Sequence, residues 1–244
     1  MTEVGFRRVK TPRAFEEIAK QIRRELSTGR LRIGDRLPAE RSLAEQFGVS
    51  RNTLREALRS LEHAGLLRLK KGVTGGSYIK ESTGEAVIAG LSDMYRLGAI
   101  QPLHLTEARI IIGTEVARLA CARRTRIDLA TLEKNVADAA DATASGDMRQ
   151  RAEINHEFHR LLARATRNPV LIILTDALME MTRAFVDAIG YQPNPFVLPS
   201  RRRLLAALHA RDADAAAKEM KRMLLRLQRT HLARFKESTK VRMT

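Results

Sequence analysis

The chain has 244 residues, 44% hydrophobic and 30% charged, enough apolar material for one large domain or two modest ones and too much for a disordered chain. Its 44 Lys and Arg against 28 Asp and Glu leave a formal charge of +16, which favours a polyanionic partner through release of condensed counterions. No apolar run reaches the roughly 18 residues of a membrane span, residues 1–8 lack the pattern of a secretory leader, and the single Cys121 excludes a disulfide framework, so a soluble, cytoplasmic protein is expected.

The first helix is expected to start at Thr11 and Pro12, a capping residue followed by the residue that best tolerates the first helical position. Phe15, Ile18, Ile22 and Leu26 then give one apolar face, and Gly29 supplies the stop. Residues 34–38 read as a turn into a second helix over 39–47. Gly48 and Val49 interrupt it, Ser50 caps a third helix from Arg51 to Ala64, and Gly65 ends that one. Two helices so briefly separated fit a helix-turn-helix, with Ala44, Phe47, Val49, Leu54, Leu58 and Leu61 inward. Arg51, Asn52, Thr53 and Arg55 crowd the exposed start of the third helix, where a recognition helix presents side chains to base edges. Arg suits guanine, Asn suits adenine, and the Thr methyl suits thymine. Residues 66–69 and 77–80 pair as short strands around a basic, glycine-rich tip at 70–76, the wing of a winged helix. Residues 1–80 carry 18 basic and 9 acidic groups, a net of +9, against 26 and 19, a net of +7, in the remaining 164. The plainer alternative is a small amphipathic domain with solvated arginines.

The run Gly34-Asp35-Arg36-Leu37-Pro38-Ala39-Glu40-Arg41, with Leu43-Ala44, Phe47 to Leu58, Leu61-Glu62 and Gly65-Leu66, closely resembles the GntR family of bacterial transcription regulators. That resemblance implies a DNA-contacting set of Arg36, Arg41, Arg51, Asn52, Thr53, Arg55, Lys71 and Gly72. In it Arg41, Arg51 and Arg55 hold phosphate or guanine, Asn52 and Thr53 sit over bases, and Lys71 and Gly72 reach the minor groove.

Residues 81–102 read as a connector with a short helix over 84–97. Beyond it helices are expected at 106–123, 128–145, 147–165, 168–189, 200–210 and 212–236. Asn168, Ser200 and Asp212 serve as N-caps, Pro169 follows Asn168, and the prolines of 190–199 mark a loop. The fold class is therefore mainly α, with a winged helix-turn-helix at 10–80 and an all-α bundle at 103–236. The bundle resembles the FCD effector domain of the FadR subfamily through Glu107-Ala108-Arg109, Asn155 with Phe158-His159, Arg167-Asn168-Pro169, and Ala207 to Asp212.

Many domains of that type bind a divalent metal through an Asp or Asn four residues before a His, plus two later His, and an organic acid completes the coordination. Here Asn155 and His159 are the only retained candidates. Arg201 and Met223 stand where the resemblance places the other ligands, and His231 falls eight residues further on, too far along the helix to substitute. A guanidinium repels a metal, so no cofactor is expected. If Arg201 shares a cavity with Arg109, the pair can instead clamp a carboxylic acid or acyl-type effector, giving an effector set of Arg109, Asn155, His159 and Arg201. Alternatively Arg201, within the triplet 201–203, faces solvent, and His159 is a core histidine. Cys121 reads as packing.

No phosphate-cradling loop with Lys-Ser or Lys-Thr, no HExxH and no GxSxG is present, so no enzyme is expected. The favoured reading is a ligand-responsive regulator, by the resemblance a repressor, binding a pseudo-palindrome as a homodimer; a sequence-independent DNA packager is the rival.

Overall fold

Contacts divide the chain into two units, Met1–Ala86 and Val87–Thr244, and the computed structural model describes residues 13–72, 75–81 and 83–242. In the first unit run helices α1 (Arg13–Ser27), α2 (Glu40–Phe47) and α3 (Arg51–His63), then strands β1 (Leu67–Lys70) and β2 (Gly76–Ile79). The expected start at Thr11 and Pro12 lies outside the described residues. The core gathers Ile18 and Ile22 of α1, Leu43 and Ala44 of α2, Leu54, Leu58 and Leu61 of α3, and Leu67 and Ile79 of the strands, with Phe47 and Val49 half-buried at its edge. These are the apolar positions that recur at helical spacing, so burial of one face per helix assembles the unit.

The turn between α2 and α3 depends on Gly48, whose left-handed backbone (φ 64°) turns its N–H back to the carbonyls of Ala44 and Glu45. A side chain is strained there, so glycine is the residue that fits. Ser50 then accepts a hydrogen bond from the Thr53 N–H at 3.1 Å, capping α3 as the sequence suggests. Ser50→Ala is expected to lower the unit's stability by about 1 kcal/mol, read as an earlier urea-unfolding midpoint with an unchanged slope.

The strands pair antiparallel, Leu67 opposite Ile79 and Lys70 opposite Gly76, one residue off the expected 66–69 and 77–80. The shift arises because Leu66 still belongs to the helix stop, its N–H bonded to the Leu61 carbonyl. Beside β2, residues 35–37 add a short extra rung: Leu37 N–H donates to the Ser77 carbonyl, and Ile79 N–H to that of Asp35.

The second unit is helical: after α4 (Glu85–Arg96) come α5 (Pro102–Arg123), α6 (Arg126–Ala144), α7 (Met148–Ala165), α8 (Pro169–Ile189), α9 (Val197–Ala210) and α10 (Ala213–Arg242). Helix α5 is the hub, packing against α7, α8, α9 and α10. It starts four residues earlier than expected, because Pro102 occupies its first turn behind a capping box of Gln101 and His104. Helix α9 also starts early. Pro199 lies inside its first turn, where the missing N–H has no intrahelical role. Ser200 is consequently not a cap: it is buried within the helix and donates to Glu219 Oε1 at 2.6 Å. Asn168 and Asp212 do cap, accepting from the N–H of Val170 and of Ala215, while α10 runs six residues past its expected end at 236.

The main core of this unit joins Val116, Ala117, Ala120 and Cys121 of α5 to Phe158 and Leu162 of α7, Leu204 and Leu208 of α9, and Met220, Met223 and Leu224 of α10. Cys121 is packing, as its sequence context suggests. A second cluster holds Leu105, Met179, Met181, Phe185 and Ile189, with Tyr95 and Phe235 against it.

Candidate functional site

Two places concentrate polar side chains without internal partners. The first is the start of α3. Arg51, Asn52 and Arg55 are exposed there and Thr53 is half-buried. Arg51 and Asn52 make no hydrogen bond or ion pair with any described residue. Thr53 is drawn into the cap, its hydroxyl 2.9 Å from that of Ser50. Arg55 Nε bonds Glu40 Oε2 at 2.6 Å, and Arg41 Nε bonds Glu45 Oε1 at 3.2 Å. Arg36 stacks over Tyr78 at 5.8 Å and donates from Nη2 to the Gly75 carbonyl at 2.5 Å, tying the wing to the segment before α2. Lys71 and Gly72 are exposed at the wing's tip. The free N–H groups at the start of α3 add the positive end of its dipole to this face.

The second place is a cavity of about 590 Å³, counting its mouth, walled by α5, α7, α8, α9, α10 and the loop before α9. All four predicted effector residues line it: Arg109 from α5, Asn155 and His159 from α7, and Arg201 from α9. Arg201 is 1% exposed and Arg109 6%, which overturns the solvent-facing alternative for Arg201. Arg201 stacks on Phe158 at 4.2 Å and donates from Nη2 to the Asn155 carbonyl at 2.8 Å. Its Nε and Nη1 are buried without a partner, as is Arg109 Nε.

Buried arginines elsewhere in the bundle are treated differently. Arg124 closes the end of α9, donating to the carbonyls of Leu208 at 2.7 Å and His209 at 3.0 Å. An unbonded buried guanidinium costs free energy, so Arg109 and Arg201 mark a place prepared for something else. Burial pushes the Arg109 guanidinium down to about 10 and Arg201 to about 9, the latter helped by the charge of Arg151, yet both stay cationic near neutral pH.

Three residues of the cavity escaped the sequence reading or were set aside by it. Arg151 and His156 of α7 line it, and so does His231 of α10. His231 reaches the wall because Met223, Leu227 and His231 follow at four-residue spacing on one face of a helix long enough to span the cavity. The spacing 151, 155, 159 would likewise have flagged Arg151 as sharing a face with Asn155 and His159. Burial and the neighbouring arginines push His156 down to about 3 and His231 to about 4, and hold His159 well below its usual value.

These residues do not fit a divalent metal. No Asp or Glu lines the cavity, and no group of three or more His, Cys, Asp or Glu among the described residues is arranged to hold one. Metal ligation wants neutral imidazole and carboxylate oxygen, and here two buried guanidiniums oppose any cation. The donor set is complementary to an anion instead.

A winged helix joined in one chain to a helical bundle with a polar-lined cavity defines a ligand-responsive, DNA-binding transcription regulator. The comparisons agree and give the family. Residues 14–76 match the bacterial regulatory proteins of the gntR family, and residues 104–226 match the FCD domain. The HTH-type transcriptional regulator YcbG of Bacillus subtilis is 31% identical over 198 residues, 81% of each chain. The Uxu operon regulator of Haemophilus influenzae is 29% identical over 217 residues, 85% of this chain and 78% of its own. The solved structure of Streptococcus agalactiae GntR superposes with a TM-score of 0.64 at 27% identity, covering 88% of this chain and 99% of that one. The chain belongs to the GntR family of transcriptional regulators and carries an FCD domain. None of its described helices is long and apolar enough to cross a membrane.

Proposed function

We propose that this regulator reads a pseudo-palindromic operator as a homodimer and responds to a small organic anion held between Arg109 and Arg201, without a metal or catalytic activity. The observation that carries the effector reading is the pair of buried guanidiniums whose nitrogens lack partners in a cavity that no carboxylate lines. Carboxylates match the guanidinium fork bidentately and leave each other's lone pairs satisfied. Asn155 and His159 complete the wall that orients the acid. Isothermal titration with organic acids, comparing wild type with Arg109→Ala and Arg201→Ala, tests the assignment. Unchanged affinity in both variants would remove it.

The winged head (10–80) is the DNA reader, the bundle (103–236) the sensor and dimer-forming part, and 81–102 the connector, all working in the cytoplasm where the operator is. In the head, α3 enters the major groove with Arg51 and Asn52 over base edges and Thr53 beside them, while Lys71 and Gly72 follow the minor groove. Arg36, Arg41 and Arg55 bind the phosphates. The ion pairs now holding Arg41 and Arg55 are exposed and are worth at most about 1 kcal/mol each, so phosphate displaces them readily. A single head contacts few base pairs, hence the second copy. By the family resemblance, effector binding relieves repression. It does so only if the two arrangements of the heads differ in affinity for the anion.

Arg51→Ala is expected to lose about 1–3 kcal/mol of discrimination at one base pair. Lys71→Ala should weaken binding evenly across sequences and reduce the salt slope by about one. Fluorescence anisotropy on operator and scrambled duplexes at several salt concentrations separates the two effects, and wild-type behaviour in both variants would refute the docking.

A further inference from the structure

Arg151 is the third buried arginine of the sensing unit that lacks full bonding. It is 8% exposed. Its Nη2 donates to the Gln192 carbonyl at 2.8 Å, in the loop before α9, while its Nε is buried without a partner. It lies on the wall shared by the main cavity and a neighbouring pocket lined by Asn155, Asn194, Val197 and Pro199, and neither space has an Asp or Glu in its lining. Arg151 is close enough to Arg201 for its charge to disfavour the Arg201 cation. The histidines beside them, His156 and His231, are kept neutral by burial, so the positive charge of the cavity is that of its guanidiniums.

One carboxylate between Arg109 and Arg201 leaves at least one of the three buried cations unbalanced. Buried charge in a low-dielectric wall is stabilised only by a bonded counter-charge. We propose that the cavity takes a dianion, with one charge between Arg109 and Arg201 and the second held by Arg151, either as two carboxylates on a short chain or as a phosphate ester. This rests on the anion reading above and adds the second charge to it. Arg151 also connects the ligand to the loop at 190–196, because the guanidinium that meets the second charge is the one bonded to the Gln192 carbonyl.

The test is isothermal titration of the full chain with malonate, succinate, glutarate and glycerol 3-phosphate, against butyrate as the single-charge reference, in wild type, Arg151→Gln and Arg151→Lys. In wild type at least one dianion should bind about tenfold or more tightly than butyrate, the gain expected from one further charge-assisted contact. Arg151→Gln should erase that preference and leave butyrate within about twofold, whereas Arg151→Lys, which keeps the charge, should restore part of it. A preference for glycerol 3-phosphate identifies a phosphate ester, and one for a diacid identifies a dicarboxylate of that length. Equal binding of butyrate and every dianion to wild type, or a preference that survives in Arg151→Gln, overturns the second charge while leaving the single-anion site intact. If butyrate and all the dianions fail to bind wild type, the single-anion reading falls and this proposal with it.

Discussion

Replacing Arg201 by Met is expected to make the ligand-free protein more stable and to abolish its response to organic anions. Arg201 is buried to 1% exposure with Nε and Nη1 unpartnered, and burial has pushed its guanidinium down to about 9. A buried charge without full compensation is destabilising, and well-packed hydrophobic replacements of buried charges are often stabilising by about 1–4 kcal/mol. Against that stand the stacking on Phe158 and the hydrogen bond to the Asn155 carbonyl, each worth about 1–2 kcal/mol. Met keeps much of the volume and a soft contact with the Phe158 ring, so the net gain should be on the order of 1–2 kcal/mol, a rise of a few degrees in Tm. Arg124→Met is the internal comparison. Its guanidinium is bonded to two carbonyls at the end of α9, so its loss leaves those acceptors empty and should cost about 2 kcal/mol. Thermal unfolding of both variants in a buffer free of carboxylate and phosphate decides the matter. Should Arg201→Met lose as much stability as Arg124→Met, Arg201 is structural and the cavity is not strained toward an anion. The expected result is a stability–function trade-off, common where a binding site is held in an unfavourable electrostatic state until its ligand arrives.

Arg201 also shows how much of the site could be read from the sequence. In composition the triplet 201–203 is a basic surface run. In helical register it is not, since Val197, Arg201, Leu204, Leu205 and Leu208 are the inward face of α9 and are buried, while Arg202 and Arg203 are exposed. The family resemblance supplied Arg109, Asn155, His159 and Arg201, and the structure brings these four together. Arg151, His156 and His231 were missed because a cavity wall depends on where several helices cross, which one helix's periodicity does not specify. The winged head was legible almost residue by residue, because its turns rest on local chemistry: the left-handed Gly48, the Ser50 cap and alternating strand burial. The start of α9 was misjudged for a local reason too. Prolines at 193, 195 and 199 read together as loop, yet Pro199 sits in the first helical turn, where proline is tolerated.

Acidification should unfold the protein well before its carboxylates titrate. His156, His159 and His231 are buried and neutral, facing Arg109 of α5, Arg151 and Arg160 of α7, Arg183 of α8 and Arg201 of α9. In the folded state His156 lies at about 3 and His231 at about 4, against an ordinary 6.5. Between those values the unfolded chain binds protons that the folded chain excludes, so stability rises with pH across the window and is lost as pH falls. At about pH 5 each of these two histidines costs about 2 kcal/mol, from 1.36 kcal/mol per pH unit below 6.5. His159 adds in the same direction. Together they remove a large part of the roughly 5–15 kcal/mol that holds a typical domain folded. Urea unfolding at intervals between about pH 7 and pH 5 measures the slope, and His156→Gln or His231→Gln should each flatten it by close to one proton. Slopes that are parallel in wild type and both variants would mean that the histidines titrate alike in the folded and unfolded chains. The same electrostatics predict a linked effect: an anion that balances Arg109 and Arg201 removes part of the repulsion holding the histidines neutral, so binding at about pH 5.5 should take up protons. Titrations in buffers of different ionisation enthalpy read that uptake directly, and a binding enthalpy independent of buffer would show that the bound charge lies too far from the histidines to be felt.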